Sequence, residues 1–274
     1  MKDILHQINA QYITELSAVQ KKIQSLVQGQ SSTEVQQHMG YVASKSGHML
    51  RPLIALITFG AIDGRPFSEL DDITKGKLIS IAAALELLHT ASLVHDDVID
   101  QTITRRNQAT INTLVGNTES ILIGNLFYLN AFRLMLSMED PWYLEALIQT
   151  AEAMCVGEVL QNEKQNQLIS TNEYLEIVEK KTGALICAAA SLSARLAGAS
   201  TETSLLYESL ALNLGTLYQL KDDYADQDLN NYDETDLQQL ISECQQKLEY
   251  ASSSLSTTEP HQQAFAQFIY YFKG

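Results

Sequence analysis

LISIAAALELLHTASLVHDDVID, residues 78–100, is the stretch that decides the fold. Its apolar side chains recur at three- and four-residue spacing and, from 78 to 94, cover nearly the whole circumference. That is the pattern of a helix buried on all sides. The run ends in Asp96-Asp97-Val98-Ile99-Asp100. Residues four apart share a helix face, with Cβ atoms about 5–6 Å apart, so Asp96 and Asp100 point together. Two carboxylates at the mouth of a buried helix repel each other unless a cation sits between them. Hard divalent ions, magnesium above all, are held by one or two carboxylates and by substrate phosphates. The same D-D-x-x-D spacing returns at Asp222-Asp223-Tyr224-Ala225-Asp226, again after an apolar run, Leu214-Gly215-Thr216-Leu217. One such triplet in an acidic chain reads as a solvated helix surface. Two at the ends of apolar helices point to cations gripping a diphosphate.

Working outward, the period stays helical over 2–27, 31–45, 50–61, 74–100, 109–114, 117–138, 141–165, 171–198, 203–226, 234–253 and 260–272. Breakers fall between them: Gly47, Gly64-Arg65-Pro66, Gly116-Asn117, Asp140-Pro141, Ser170-Thr171 and Glu259-Pro260. Strand-like alternation is absent. These spacings predict an all-α bundle of about ten helices, with both aspartate motifs on central helices. No Ser/Gly linker or low-complexity tract divides residues 1–274, which are expected to form a single domain.

The chain is 45% hydrophobic, enough for a sizeable core, and carries a net charge of −15, which argues against a nucleic-acid partner. A chain this acidic needs cations and a few placed Arg and Lys to hold a diphosphate. Cys155, Cys187 and Cys244 are odd in number and scattered, which reads as buried filler rather than disulfide or metal ligand. The N-terminus is amphipathic and mixed in charge, unlike a signal peptide. No run of 18 apolar residues suggests a transmembrane segment, and the expected compartment is the cytoplasm.

Candidate partners for a diphosphate lie near the motifs. Arg105-Arg106 follows the first motif by five residues, and Arg forks grip phosphate oxygens bidentately. Gly47-His48-Met49-Leu50-Arg51-Pro52 puts Arg51 at a helix start, where backbone N–H groups favour anions. His89 stands two helical turns before Asp96; a core role and a phosphate role are both open for it. Lys181-Thr182 and Gln219 interrupt apolar runs, and a buried polar group needs a partner.

LLHTASLVHDDVIDQTITRR (87–106), GEVLQ (157–161), EKKTGAL (179–185) and YQLKDDYAD (218–226) resemble, in order, the motifs of the trans-isoprenyl diphosphate synthases, or polyprenyl synthetases. The resemblance implies an isoprenoid synthase-like bundle around a central cavity. It implies a transferase in which three Mg²⁺ ions grip an allylic diphosphate. Ionisation leaves a carbocation, the double bond of isopentenyl diphosphate attacks it, and proton loss completes a five-carbon extension. Carried over, Asp96, Asp100 and Asp222 are the metal ligands, with Asp97, Asp223 and Asp226 in support. Arg105, Lys181 and Gln219 contact the allylic diphosphate. Arg51, His89 and Arg106, with His48 in place of the family's lysine, hold isopentenyl diphosphate. Thr182 and Gln219 lie along the carbocation. No protein base stands out, and the released diphosphate takes the proton.

Three departures accompany the resemblance. Ser46-Gly47-His48 stands where the family has Gly-Gly-Lys, so a fixed charge becomes a titratable one. Gly124-Asn125 replaces Gly-Asp. The family's lysine-bearing stretch after the second motif is missing, and Gln227–Tyr232 leads almost directly to a terminal helix pair. That deletion keeps two alternatives open: a weak or regulatory subunit of a heteromeric synthase, and a specialised prenyltransferase acting on a peptide. A class I terpene cyclase fits less well, because those pair one aspartate triplet with an Asn/Ser/Glu motif.

The growing tail is expected to run back along the first-motif helix past Ser92, Leu88 and Leu85, with Ala91 beside Ser92. Eleven residues span roughly 16 Å. Family members that stop early place an aromatic at the position of Ala91 or Ser92. The small residues here imply products of about C20 or longer, and about C30 or more, since a ring there would displace the tail. The floor is then expected at Leu85 and Leu88, or at Phe127 or Phe132. Segments 117–138 and 141–165 look more apolar than the inner bundle needs (Leu122, Ile123, Leu126, Phe127, Tyr128, Leu144, Leu147, Ile148). With the family's two-fold pairing in that region, this predicts a homodimer, a heteromer being the variant.

Overall fold

A computed structural model describes residues 2–44, 47, 49–165, 167–226, 234–253, 255 and 260–273. The chain runs through helices α1 (Lys2–Gln11), α2 (Ile13–Gln28), α3 (Thr33–Ala43), α4 (Leu50–Asp63), α5 (Asp72–Ile99), α6 (Ile111–Val115) and α7 (Asn117–Leu136). It continues through α8 (Pro141–Glu163), α9 (Thr171–Val178), α10 (Ala184–Leu196), α11 (Thr201–Asp226), α12 (Glu234–Ser252) and α13 (Pro260–Lys273). The all-α expectation holds, and the helix boundaries follow the breakers. The Asp71 side chain caps α5 by accepting from Thr74 N–H at 2.9 Å. Asp140, just before Pro141, caps α8 through Trp142 N–H at 3.0 Å. Ser170 and Glu173 form a reciprocal capping box on α9.

α5 is the axis of the bundle, packed against α2, α4, α7 and α10. By length and composition α5 could cross a membrane, but 67% of its apolar window is buried by neighbouring helices. α10 lies against α4, α5, α8 and α11. Its alanines, Ala188, Ala189, Ala190 and Ala194, are buried and let those helices approach closely. α13 closes the far side against α4 and α1, where Tyr12 hydrogen-bonds His261 at 3.0 Å.

Three features depart from the sequence expectations. The span 2–27 divides at Tyr12 into α1 and α2. The span 171–198 is not one α-helix: Glu179–Gly183 forms a π-helical turn between α9 and α10. A two-stranded antiparallel ribbon, β1 (Thr104–Arg105) and β2 (Gln108–Ala109), follows the first motif. Its turn residues, Arg106 and Asn107, both have positive φ, 51° and 60°, the geometry of a tight hairpin. The cysteine expectation also changes: Cys244 is buried, Cys187 is half-buried and Cys155 is exposed.

Candidate active site

A cavity of about 760 Å³ opens among the ends of α4, α5, α8, α10 and α11, within the range of ligand sites. Asp96 from α5 and Asp100 at its C-cap, Lys181 and Thr182 from the π turn, and Gln219 and Asp222 from α11 all line it. Arg51, His89, Ser92, Arg105 and Arg106 complete the same wall. Residues from as early as Arg51 and as late as Tyr271 in the sequence therefore meet in one space. His48 lies outside the described residues, and Asp226 is the last residue of α11.

The carboxylates crowd one side. Burial pushes the Asp96 carboxyl up to about 7, helped by the neighbouring Glu158 and Asp100 charges and opposed by Lys181 and Arg105. A cation beside such a carboxyl would favour its ionised form. Among the described residues, no three carboxylate, imidazole or thiol side chains converge into a metal cage. The donor set fits hard cations that bring diphosphate oxygens with them to complete their shell.

Asp97 and Asp223 have other duties. Asp97 is buried, and Arg105 donates to its Oδ1 from Nε at 2.9 Å and Nη2 at 2.8 Å. Its carbonyl accepts from Thr102 N–H at 2.9 Å and from Asn112 Nδ2 at 3.1 Å, which ties the ribbon to α5. Arg105 thus anchors the ribbon while lining the cavity. Asp223 accepts from Gln219 Nε2 at 2.7 Å and from the Tyr174 hydroxyl, and Thr182 Oγ1 donates to Gln219 Oε1 at 3.0 Å. Tyr174–Asp223–Gln219–Thr182 is a single hydrogen-bonded chain across α9, α11 and the π turn. It fixes which way the Gln219 and Thr182 dipoles face.

The π turn sets Lys181. Gly157 of α8 lies so close that a Cβ there would meet Lys181 N at 2.6 Å, so only glycine admits this crossing. The wide turn aims Lys181 at Glu158, and the two form an ion pair at 2.5 Å. π turns recur at functional sites because they redirect side chains without ending a helix. His89 is pushed well below the usual histidine range by burial and by the positive charges of Arg51, Arg106 and Arg105, so it meets the cavity as a neutral ring.

Beneath Asp96 the wall is Ser92, Leu93, Tyr128, Met154 and Leu185. Leu85, Leu88, Ala91 and Phe127 are fully buried in the core rather than on this wall. Phe132 stacks behind Tyr128 with ring centroids 6.2 Å apart, and His95 tilts against the other side at 5.5 Å. Of the aromatics in this region, Tyr128 lines the cavity, while Phe127 is buried in the core and Phe132 packs against Tyr128. Glu86, Glu158, Tyr128, Tyr218 and Tyr271 are cavity residues that the sequence reading did not select. Glu158 lay inside the GEVLQ motif, and Glu86 stands three residues before His89 on the same face. Tyr271 comes from α13, which no local pattern places there.

Comparison with known proteins agrees with this geometry. The polyprenyl synthetase family model matches residues 32–238. An octaprenyl diphosphate synthase of Escherichia coli is 34% identical over 224 residues, covering 80% of this chain and 67% of that protein. A short chain isoprenyl diphosphate synthase of Methanothermobacter thermautotrophicus is 30% identical over 191 residues, 68% of this chain and 56% of that one. In structure, a polyprenyl synthase from Caulobacter crescentus complexed with calcium and isoprenyl diphosphate superposes with a TM-score of 0.84. It is 21% identical and covers 98% of this chain and 97% of its own.

Proposed function

The chain belongs to the polyprenyl synthetase family, and from that premise we propose that it condenses isopentenyl diphosphate with an allylic diphosphate. The product is a linear trans-polyprenyl diphosphate of about C20 or longer. The observation that carries this reading is the gathering of Asp96, Asp100 and Asp222 with Arg51, Arg105, Arg106 and Lys181 around one cavity. Asp96, Asp100 and Asp222 would hold three Mg²⁺ ions, which supply Lewis acidity to the departing diphosphate when bound. Lys181 exchanges Glu158 for an oxygen of the allylic diphosphate, with Arg105 beside it. The hydrogen-bonded Gln219 and Thr182 keep their dipoles toward the carbon that becomes cationic. Arg51, His89 and Arg106 hold isopentenyl diphosphate with its double bond toward that carbon. The allylic C–O bond breaks, a new C–C bond forms, and the proton lost from isopentenyl diphosphate goes to the released diphosphate. Exclusion of water by the apolar wall below Asp96 protects the cation from hydrolysis.

The chain is read as one domain acting as a homodimer of the cytoplasm. The test is incubation of the purified protein with Mg²⁺, isopentenyl diphosphate and farnesyl diphosphate, with a chelator control. Linear prenyl diphosphates that vanish with chelator are expected. Cyclic hydrocarbons, or no product unless a second protein is added, would defeat the reading.

A further inference from the structure

Glu86 precedes His89 by three residues on α5 and shares its face. It is 4% exposed, and its Oε2 is buried without a hydrogen-bond partner. A carboxylate buried that way is costly unless water or a ligand supplies what the protein does not. Two charges answer it at longer range. Burial pushes the Glu86 carboxyl up, while Arg51 and Arg106 pull it back toward the ionised form. Arg51 is in the complementary condition, with a buried Nε that also lacks a partner. Both groups line the main cavity.

Behind that wall lies a second, smaller chamber of about 60 Å³, lined by Glu86, Thr90, Asp97, Arg106 and Thr110 among others. Val42, Leu93, Val94 and Ile111 make most of its lining apolar, but about 10–15 Å³ of such space holds a water, so there is room for one beside its polar groups. Arg106 is also confined by the chamber wall at Gly47, where a Cβ would collide with its guanidinium. The arginine thus lies against a bare backbone and shares the chamber with two acids, Asp97, which is paired with Arg105, and Glu86.

We propose that Glu86 is a positioning residue for the isopentenyl diphosphate half-site, aiming the guanidinium groups of Arg51 and Arg106 into the cavity. It attracts Arg51 across the cavity wall and reaches Arg106 through water in the small chamber. Because one almost wholly buried acid faces two arginines, the group retains a net positive charge toward the diphosphate. This inference rests on the proposed condensation.

The test is steady-state kinetics of Glu86→Gln, which keeps the shape and removes the charge. The KM for isopentenyl diphosphate should rise about tenfold, the size expected for loosening hydrogen bonds to a charged group. The kcat and the allylic KM should stay within about twofold. Inorganic diphosphate, titrated calorimetrically without allylic substrate, should weaken by a similar factor. Unchanged kinetics, or an even loss in kcat and both KM values, overturns the proposal. If Glu86→Gln does not fold, the same split is read on Glu86→Asp, where an even change again overturns it. A wild-type chain that makes no prenyl product fails the functional reading instead, which separates the two.

Discussion

Asp96 sits where burial and the charges of Glu158 and Asp100 raise its carboxyl to about 7, against the pull of Lys181 and Arg105. Asp96→Ala or Asp222→Ala should lower turnover by about a thousandfold or more, since Lewis-acid stabilisation is worth several kcal/mol. The variants should keep the helical circular-dichroism signal of the parent. Near-normal product formation by either would remove these residues from the metal site. Product length belongs to the same scale. Ser92 and Tyr128 face the cavity, whereas Ala91 is fully buried in the core. Ser92→Phe should shorten the product and Tyr128→Ala should lengthen it, both read by chromatography of dephosphorylated products. Ala91→Phe should instead overpack the core and lower stability by about 1–3 kcal/mol. A product distribution that ignores both Ser92→Phe and Tyr128→Ala would move the tail elsewhere.

The helices were legible because their apolar spacing is long and their stops are Gly, Pro or capping residues. The exceptions are elements too short or too subtle to leave a period. The ribbon has two residues per strand, and its tight turn uses Arg106 and Asn107 rather than a glycine pair. The π turn at Glu179–Gly183 inserts one residue into an otherwise continuous helical pattern, which shifts faces without changing composition. The turn packs against another element, since α8 approaches so closely at Gly157 that a Cβ there would meet the Lys181 backbone. Gly157→Ala should therefore cost about 1–3 kcal/mol by overpacking. It should also displace Lys181 from Glu158 and reduce kcat more than either KM. A variant as stable and active as the parent, by thermal melting and product assay, would show that the contact is not a constraint.

At the scale of the molecule, the outer face of α7 and α8 is unusually apolar. Leu122, Leu129 and Leu136 are 57%, 58% and 68% exposed and stand seven residues apart along α7, and Val156 is exposed on α8. Ile123, Phe127 and Leu147, expected on that surface, turn inward to the core. A stripe of this kind marks an interface, and a second copy of the chain is its expected occupant. Sedimentation at micromolar concentration should give a dimer, and Leu129→Glu should give a monomer. A monomeric parent would count against the interface. Sequence alone determined the class of fold, the central place of the helix ending at Asp100, and most of the charged groups of the cavity. Those properties follow from periodicity and from residue chemistry, which are local. Tertiary structure decided which groups share work: Lys181 with Glu158, Gln219 with Asp223 and Tyr174, Arg105 with Asp97, and Tyr128 rather than Phe127 below the aspartates. Except for Gln219 with Asp223, an i, i+4 contact within α11, those pairings join different elements and are set by how closely and at what rotation the helices pack, quantities that no single helix encodes.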